Sequence, residues 1–235
     1  VIDTITLTTQ TGANGIITGG GADVVVGGTG IDTVTLGEGA DTVTGGLGAD
    51  IIHLAETTAA TDTVVLTTGG ALAVVTVNDF LVGATNGDLL HVSLADVDGI
   101  TGNLQLAGNG AATAALDAAP TIATVAVGAY DMGATATNDM FTFAGDYATA
   151  AAFQTALETG GTSVLEAGGV WTAGDSFLAA YDNGADTYVG YVTTAAGTAD
   201  GGAFVASDLT FTNIVTLAGL ADATTLLTNN IDIVA

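Results

Sequence analysis

Four aspartates near the start of this chain, with an asparagine ahead of them in the same frame, fall at a fixed interval of nine: Asn14, Asp23, Asp32, Asp41 and Asp50. Side-chain oxygens repeated at one spacing, in a chain with no Lys or Arg anywhere, suit the capture of a hard cation. Ca²⁺ accepts about six to eight oxygens in flexible geometry, backbone carbonyls included. The glycines around each acid leave such carbonyls accessible. The turn positions Gly21, Gly28, Gly30, Gly39, Gly46 and Gly48 therefore join the five side chains as candidate calcium ligands.

The elements that hold these ligands are set by the same period. Residues 9–17, 18–26, 27–35, 36–44 and 45–53 share the frame G-G-x-G-x-D-x-U-x, with U aliphatic. The U position holds Ile16, Val25, Val34, Val43 and Ile52, each two residues after the acidic position. β-Branched residues in such a row favour a buried strand face, and the glycines supply the positive φ angles and close approach of a tight turn. Each repeat is thus a turn and a short strand. Two repeats make one coil of a solenoid, with aliphatics stacked inside and carboxylates expected outside.

One coil per two repeats divides the acids into two ladders, Asn14, Asp32, Asp50 and Asp23, Asp41. Adjacent rungs lie one strand spacing apart, ~4.8 Å at the backbone. With carboxylates about 5.5 Å apart and an effective dielectric near 20, each like-charged pair costs roughly 3 kcal/mol. A divalent cation offsets that cost. The competing reading makes each Asp an Asx-turn former beside Gly; five acidic positions in phase, without a compensating base, favour calcium.

Residues 9–53 resemble the RTX (repeats-in-toxin) family, calcium β-roll proteins exported by type I secretion systems of Gram-negative bacteria. Asn14 stands where the family has Asp, and Thr18 and Leu36 where it prefers Gly. The resemblance implies a location outside the cell, at a Gram-negative surface or beyond it, and export by an uncleaved C-terminal signal.

Composition removes several classes of function. With 25 acids and no Lys or Arg, the chain cannot displace counterions from nucleic-acid phosphates. A Walker-type loop, a Schiff-base lysine and an arginine clamp are likewise excluded. The absence of cysteine excludes disulfides and thiol catalysis. No basic start and apolar stretch of signal-peptide length opens the sequence, and no run reaches the ~18 apolar residues of a membrane span. Hydrophobic residues at 49% and alternating Val/Thr runs argue for packed β structure, ordered with the help of cations.

Residues 1–8 read as a strand entering the roll. The repeat frame is lost after His53, so the roll is expected to stop there, with residues 54–62 as its cap. Residues 63–67 and 72–77 read as strands. The stretch from Asn78 to Val92 looks like the Asp-Phe, Gly and Asp-hydrophobic segment that often comes after RTX rolls, with an ordinary Asn86-Gly87 hairpin as the alternative. Residues 101–120 read as a connection with a short helix. Further strands are expected at 121–127, 140–143, 209–217 and 231–235. A helix is expected from Tyr147 to Glu158 with Asp146 as N-cap, and a short helical turn after Asp222. Residues 175–181 and 187–192 flank a turn at Asp182–Asp186 and read as a hairpin. The expected fold is all-β: a parallel β-roll followed by a β-sandwich-like C-terminal region with one short helix. Its expected divisions are residues 1–62 (roll and cap), 63–120 (β-rich extension of the roll) and 121–235 (β-rich C-terminal domain carrying an export signal).

Other constellations are weaker. Asp96-Val97-Asp98-Gly99 lacks the third ligand and distal Glu of a helix-loop-helix calcium loop and reads as a turn. The Asp182–Asp186 hairpin reads as a solvated turn ahead of an ion site. His53 and His91 have no metal-protease spacing, and Ser93, Ser163, Ser176 and Ser207 lack a nucleophile elbow. Trp171, Tyr181, Tyr188 and Tyr191 fit either a sugar-binding face or cross-strand packing. Glu158 and Glu166 would pair as a glycosidase dyad only by coincidence of fold. No catalytic constellation emerges, so the chain is not expected to be an enzyme.

The acidic, Thr/Ala/Gly/Val-rich composition with RTX repeats looks like type I-secreted surface-layer and matrix proteins. That resemblance implies a homo-oligomer or polymer joined through calcium, with calcium-bridged contact to cell-surface polysaccharide and neither nucleic-acid binding nor membrane insertion. The alternative is the C-terminal secretion and folding module of a larger type I-secreted enzyme, toxin or adhesin.

Overall fold

A computed structural model describes residues 1–66, 73–93, 121–128, 130–131, 140–166, 171, 173–195 and 202–234. The Val/Thr and Ile positions of the repeats form short strands, numbered in chain order, that alternate between two stacks. β1 (Thr4–Thr6), β3 (Val24–Val26), β5 (Thr42–Thr44), β7 (Thr63–Leu66) and β9 (Leu89–Ser93) lie side by side, all parallel, in one sheet. β2 (Gly15–Gly20), β4 (Thr33–Glu38), β6 (Ile51–His53) and β8 (Val75–Asn78) do the same in the other. The register places Ile16 beside Val34 and Val34 beside Ile52, and Val25 beside Val43, which meets Val64. These side chains are all buried between the two sheets. Burying a Val or Ile contributes about 1.5–3 kcal/mol, so the row of aliphatics is the roll's apolar spine.

The roll does not stop at His53. β7, β8 and β9 keep both stacks going after the glycine frame is lost, because Val64, Val77 and Leu90 continue the buried row. Longer turns take up the extra residues. The Asn86-Gly87 turn is accordingly not a hairpin, since β8 and β9 belong to different sheets and form half a coil.

The closing coil comes from the far end of the chain. β16 (Leu209–Ala218) pairs parallel with β8, and β17 (Ile231–Val234) pairs parallel with β9. Two short 3-10 turns, Ala223–Thr225 and Thr228–Asn230, connect them, the first capped by the Asp222 side chain as expected. β16 and β17 thus pair with the last strands of the roll, and residues 94–208 lie between successive coils in the sequence as an inserted region.

Within that insertion β10 (Ile122–Val125), β12 (Met140–Asp146), β14 (Ser176–Asp182) and β15 (Thr187–Thr194) extend the second sheet outward from β16. β14 and β15 are antiparallel across the expected turn, with Tyr181 opposite Tyr188. β11 (Tyr130–Asp131) and β13 (Leu165–Glu166) form a small parallel pair. The helix α1 spans Ala150–Leu157 and packs beside β16. Its N-cap is Thr149, whose hydroxyl accepts the Ala152 N–H, rather than Asp146, which ends β12. Aromatic residues fill this region, with Phe153 stacked on Tyr181 at 4.3 Å and Trp171 edge-on to Phe177 and Phe204. The short helix read at residues 111–119 lies outside the described residues.

Candidate metal centre

The ladders form, but inside the roll. Asp23, Asp32, Asp41 and Asp50 are each 1% exposed or less, where carboxylates outside the coil were expected. The reason is in the backbone. Each Asp Oδ1 accepts the N–H of the corresponding residue one coil earlier: Asn14 to Asp32 (2.8 Å), Asp32 to Asp50 (2.8 Å) and Asp23 to Asp41 (2.7 Å). A turn N–H that would otherwise be buried without a partner draws the carboxylate inward.

The second ladder is longer than the nine-residue period reveals. Asp3 N–H donates to Asp23, Asp41 N–H to Asp62 (2.9 Å), and Asp62 N–H to Asp88 (3.0 Å). Asp62 and Asp88 are as buried as the repeat acids, at 1% and 2%. Sequence reasoning missed both because the spacing stretches when the glycines disappear. The surviving signal is an Asp two residues before the buried aliphatic, Asp62 before Val64 and Asp88 before Leu90.

The other carboxylate oxygen is the informative one. Asp32 Oδ2 accepts the Gly28 N–H at 3.0 Å, and Asp88 Oδ2 accepts the Leu81 N–H at 2.7 Å. By contrast the buried Oδ2 atoms of Asp23, Asp41, Asp50 and Asp62 have no hydrogen-bond partner among the described residues. A buried carboxylate with an unpaired oxygen must take a proton or a cation. Burial pushes Asp41 and Asp50 above the ordinary carboxylate range, Asp62 up to about 7 and Asp88 up to about 6. Neighbouring acids add to the rise at Asp62, where Asp88, Asp41 and Glu56 all repel its charge.

Glycine closes the turns on one another. At Gly39, φ is +126° and an added Cβ would sit 2.0 Å from the Gly21 carbonyl oxygen. Gly48 stands in the same relation to Gly30 at 2.2 Å, with φ +140°. Gly46 repeats the contact against Gly28 at 2.1 Å. Successive turns thus press backbone on backbone, with carbonyls beside the acid ladders. Hard oxygens, buried and partly unpaired, fit calcium. Among the described residues no three acidic or histidine side chains converge as a metal cluster, so a shell here would draw on carbonyls and water as well as one or two carboxylates.

The remaining candidates scatter. Asn14 is partly exposed and its side-chain N–H donates to Gly12 O and Asp32 Oδ1. His91 Nδ1 lies 2.8 Å from Asp232 Oδ2, joining β9 to β17. Trp171 and Tyr181 are buried, and Tyr181 stacks on Tyr188 at 5.0 Å, so cross-strand packing rather than a sugar-binding face explains them. Glu158 accepts the Leu209 N–H and fastens the end of α1 to β16. Ser163 hydrogen-bonds Tyr147 and Ser176 hydrogen-bonds Thr193. Asp182 Oδ1 accepts the Gly184 N–H and its Oδ2 the Ala223 N–H, roles that stabilise the turn. Asp96 and Asp98 lie outside the described residues.

No curated protein and no solved structure matches the chain. Over residues 17–52, under a sixth of the chain, the sequence matches the family described as RTX calcium-binding nonapeptide repeat (4 copies). Such repeats bind calcium and are typical of secreted proteins of Gram-negative bacteria. No helix among the described residues is long and apolar enough to cross a membrane. The coil-by-coil register, the buried acid ladders and this match agree: the N-terminal part of the roll is built of RTX calcium-binding repeats.

Proposed function

We propose that this is a calcium-dependent extracellular structural protein that self-assembles into a surface layer, matrix or filament and carries no catalytic activity. The observation that carries the reading is the set of buried Asp Oδ2 atoms without partners in a chain lacking any Lys or Arg. Asp23, Asp32, Asp41 and Asp50, with Asn14 at the outer rung, would hold calcium together with the turn carbonyls of Gly21, Gly28, Gly30, Gly39, Gly46 and Gly48. Bound calcium supplies the positive charge that the sequence omits. The chain's own part is to fix the oxygens: each Oδ1 is anchored by an amide of the preceding coil, leaving Oδ2 of Asp23, Asp41 and Asp50 to face the ion, while Asp32 Oδ2 also accepts the Gly28 N–H.

Two features favour assembly. Among the described residues β1 and β2 each pair on one side only, at the same end of the roll. Natural edge strands are usually protected by charge, a bulge or Pro. β2 (GIITGG) has no charged residue, and Ile17 on it is 80% exposed. A formal charge of −25 opposes contact between copies, so association would track calcium concentration, as would calcium-bridged contact with surface polysaccharide. Electron microscopy of the native protein with calcium, and again in excess chelator, tests the reading. Lattices or filaments that dissolve on chelation are expected. A monomer in millimolar calcium, attached to a catalytic or ligand-binding part, would favour instead a secretion and folding module of a larger exported protein.

A further inference from the structure

The four repeat aspartates are not equivalent, and the geometry points to a graded set of calcium sites: tight at Asp23, Asp41 and Asp50, and weak at Asp32, where the protein's own N–H groups stand in for the ion. This rests on the calcium reading of the roll and ranks its sites. The backbone separates the four. Four and two residues ahead of Asp23, Asp41 and Asp50 stand glycines with positive φ: Gly19 (+100°) and Gly21 (+134°), Gly37 (+105°) and Gly39 (+126°), Gly46 (+97°) and Gly48 (+140°). The corresponding pair ahead of Asp32, Gly28 and Gly30, lies outside that left-handed region. Residue type hides the difference, since glycine fills the position in every case.

The carboxylates differ in step with their turns. In the three turns with left-handed glycines, the Asp Oδ2 is buried and has no hydrogen-bond partner among the described residues. In the fourth, the Gly28 N–H donates to Asp32 Oδ2 at 3.0 Å. Asp32 Oδ1 is used twice, by the Asn14 backbone N–H and by the Asn14 side-chain N–H, both at 2.8 Å. The surroundings fix that side chain's orientation, because its N–H also donates to Gly12 O at 2.8 Å. An amide oxygen turned the same way would face two acceptors. Three N–H donors thus meet one fully buried carboxylate.

Each donor presents the positive end of its dipole to the charge that a cation would otherwise neutralise. Calcium can reach Asp32 only by displacing an N–H and leaving it without a partner, which opposes binding. At Asp23, Asp41 and Asp50 no such donor has to move, and a bare buried carboxylate oxygen is costly until it is neutralised. Asn14 is therefore more than a weakened ligand. It adds a donor where an Asp in the same frame would add a second negative charge, and so closes its rung in place of metal.

The test is a calorimetric calcium titration of the full chain after bound metal has been removed. Asp41→Asn keeps an oxygen for the Asp23 N–H and removes the bare one; it should cost one calcium or weaken that ion by about tenfold or more. Asp32→Asn should bind the parental number of ions at parental affinity. Asn14→Asp replaces the donating amide by a carboxylate and should do the reverse, adding one calcium or tightening the weakest by about tenfold or more. Asp32→Asn losing calcium as Asp41→Asn does, or Asn14→Asp binding as the parent does, overturns the ranking and leaves the calcium reading standing. Should Asp32→Asn lose the far-ultraviolet β spectrum even in calcium, Asn14→Asp alone decides. If Asp41→Asn also binds calcium as the parent does, the calcium reading falls and the ranking with it.

Discussion

The roll and the region inserted into it stabilise themselves by opposite means. Residues 1–62 contain no Phe, Tyr or Trp; the first aromatic is Phe80. Their interior is a narrow row of Val, Ile and Leu flanked by buried carboxylates. The inserted region has Phe141, Phe143, Phe153, Trp171, Phe177, Tyr181 and Phe204 in one cluster, joined by Phe211 of β16, with edge-on and stacked contacts between them. Aromatic packing is complete within the protein. The acid ladders are not, because their free oxygens require something the sequence does not encode.

The largest consequence is selective sensitivity to metal removal. In excess chelator the far-ultraviolet β signal of the roll should collapse while Trp171 keeps the blue-shifted emission of a buried indole. Simultaneous loss of both would show that the two regions share one stability and would break the contrast. Phe153→Ala, in the aromatic cluster, should cost about 3–5 kcal/mol and cost the same with and without calcium. A penalty that varies with calcium in denaturant titrations would mean that the core feels the ladders.

pH should sharpen the difference. Asp62 at about 7 and Asp88 at about 6, with Asp41 and Asp50 also raised, keep protons in the folded calcium-free roll that the unfolded chain has already released above about pH 4. The unfolded state then binds fewer protons, so the stability of the calcium-free roll falls as pH rises from about 4 towards 7. With calcium the dependence reverses, since ionised carboxylates are needed to hold the ion and acid expels it. Urea midpoints in chelator at pH 4.5 and 7.5 check this; a higher midpoint at 7.5 would contradict it.

The smallest effect expected separates two glycines of similar conformation. Gly39→Ala forces a Cβ against the Gly21 carbonyl and should cost upwards of about 2 kcal/mol and weaken calcium binding. Gly160→Ala, at φ +88° with open space around it, should cost only about 1–2 kcal/mol from the left-handed backbone alone. Equal melting shifts would show that turn stacking in the roll is looser than the close contact implies.

The periodic part of the fold was legible in residue spacing. Two-repeat coils, the buried row at Ile16, Val25, Val34, Val43 and Ile52, and the partition into two acid ladders are consequences of a period of nine and the geometry of parallel strands. What spacing could not convey was the direction of the carboxylates. Charge alone argues for solvent, and the decisive factor is a buried turn amide, visible only once coils are stacked. The irregular coils were obscured for a related reason: the offset from Thr42 to Thr63 is longer than that from Val24 to Thr42, and from Thr63 to Leu89 longer again. The β14–β15 hairpin was readable because its signal is local. The pairing of β17 with β9 was not, since nothing near Ile231 names a partner so far away in the chain.

That last pairing bears on how the protein is made. A polypeptide growing from its N-terminus exposes the raw flank of β8 and β9 until residues 209–234 have been synthesised, and closing the insertion costs on the order of 1.5 kcal/mol more loop entropy than closing an ordinary eighteen-residue coil. Folding that must wait for residues 209–234 gives the unfinished chain time to remain extended, and a calcium-poor interior would prolong that wait. The stack would then be sealed late, by β16 and β17, after the inserted region has emerged.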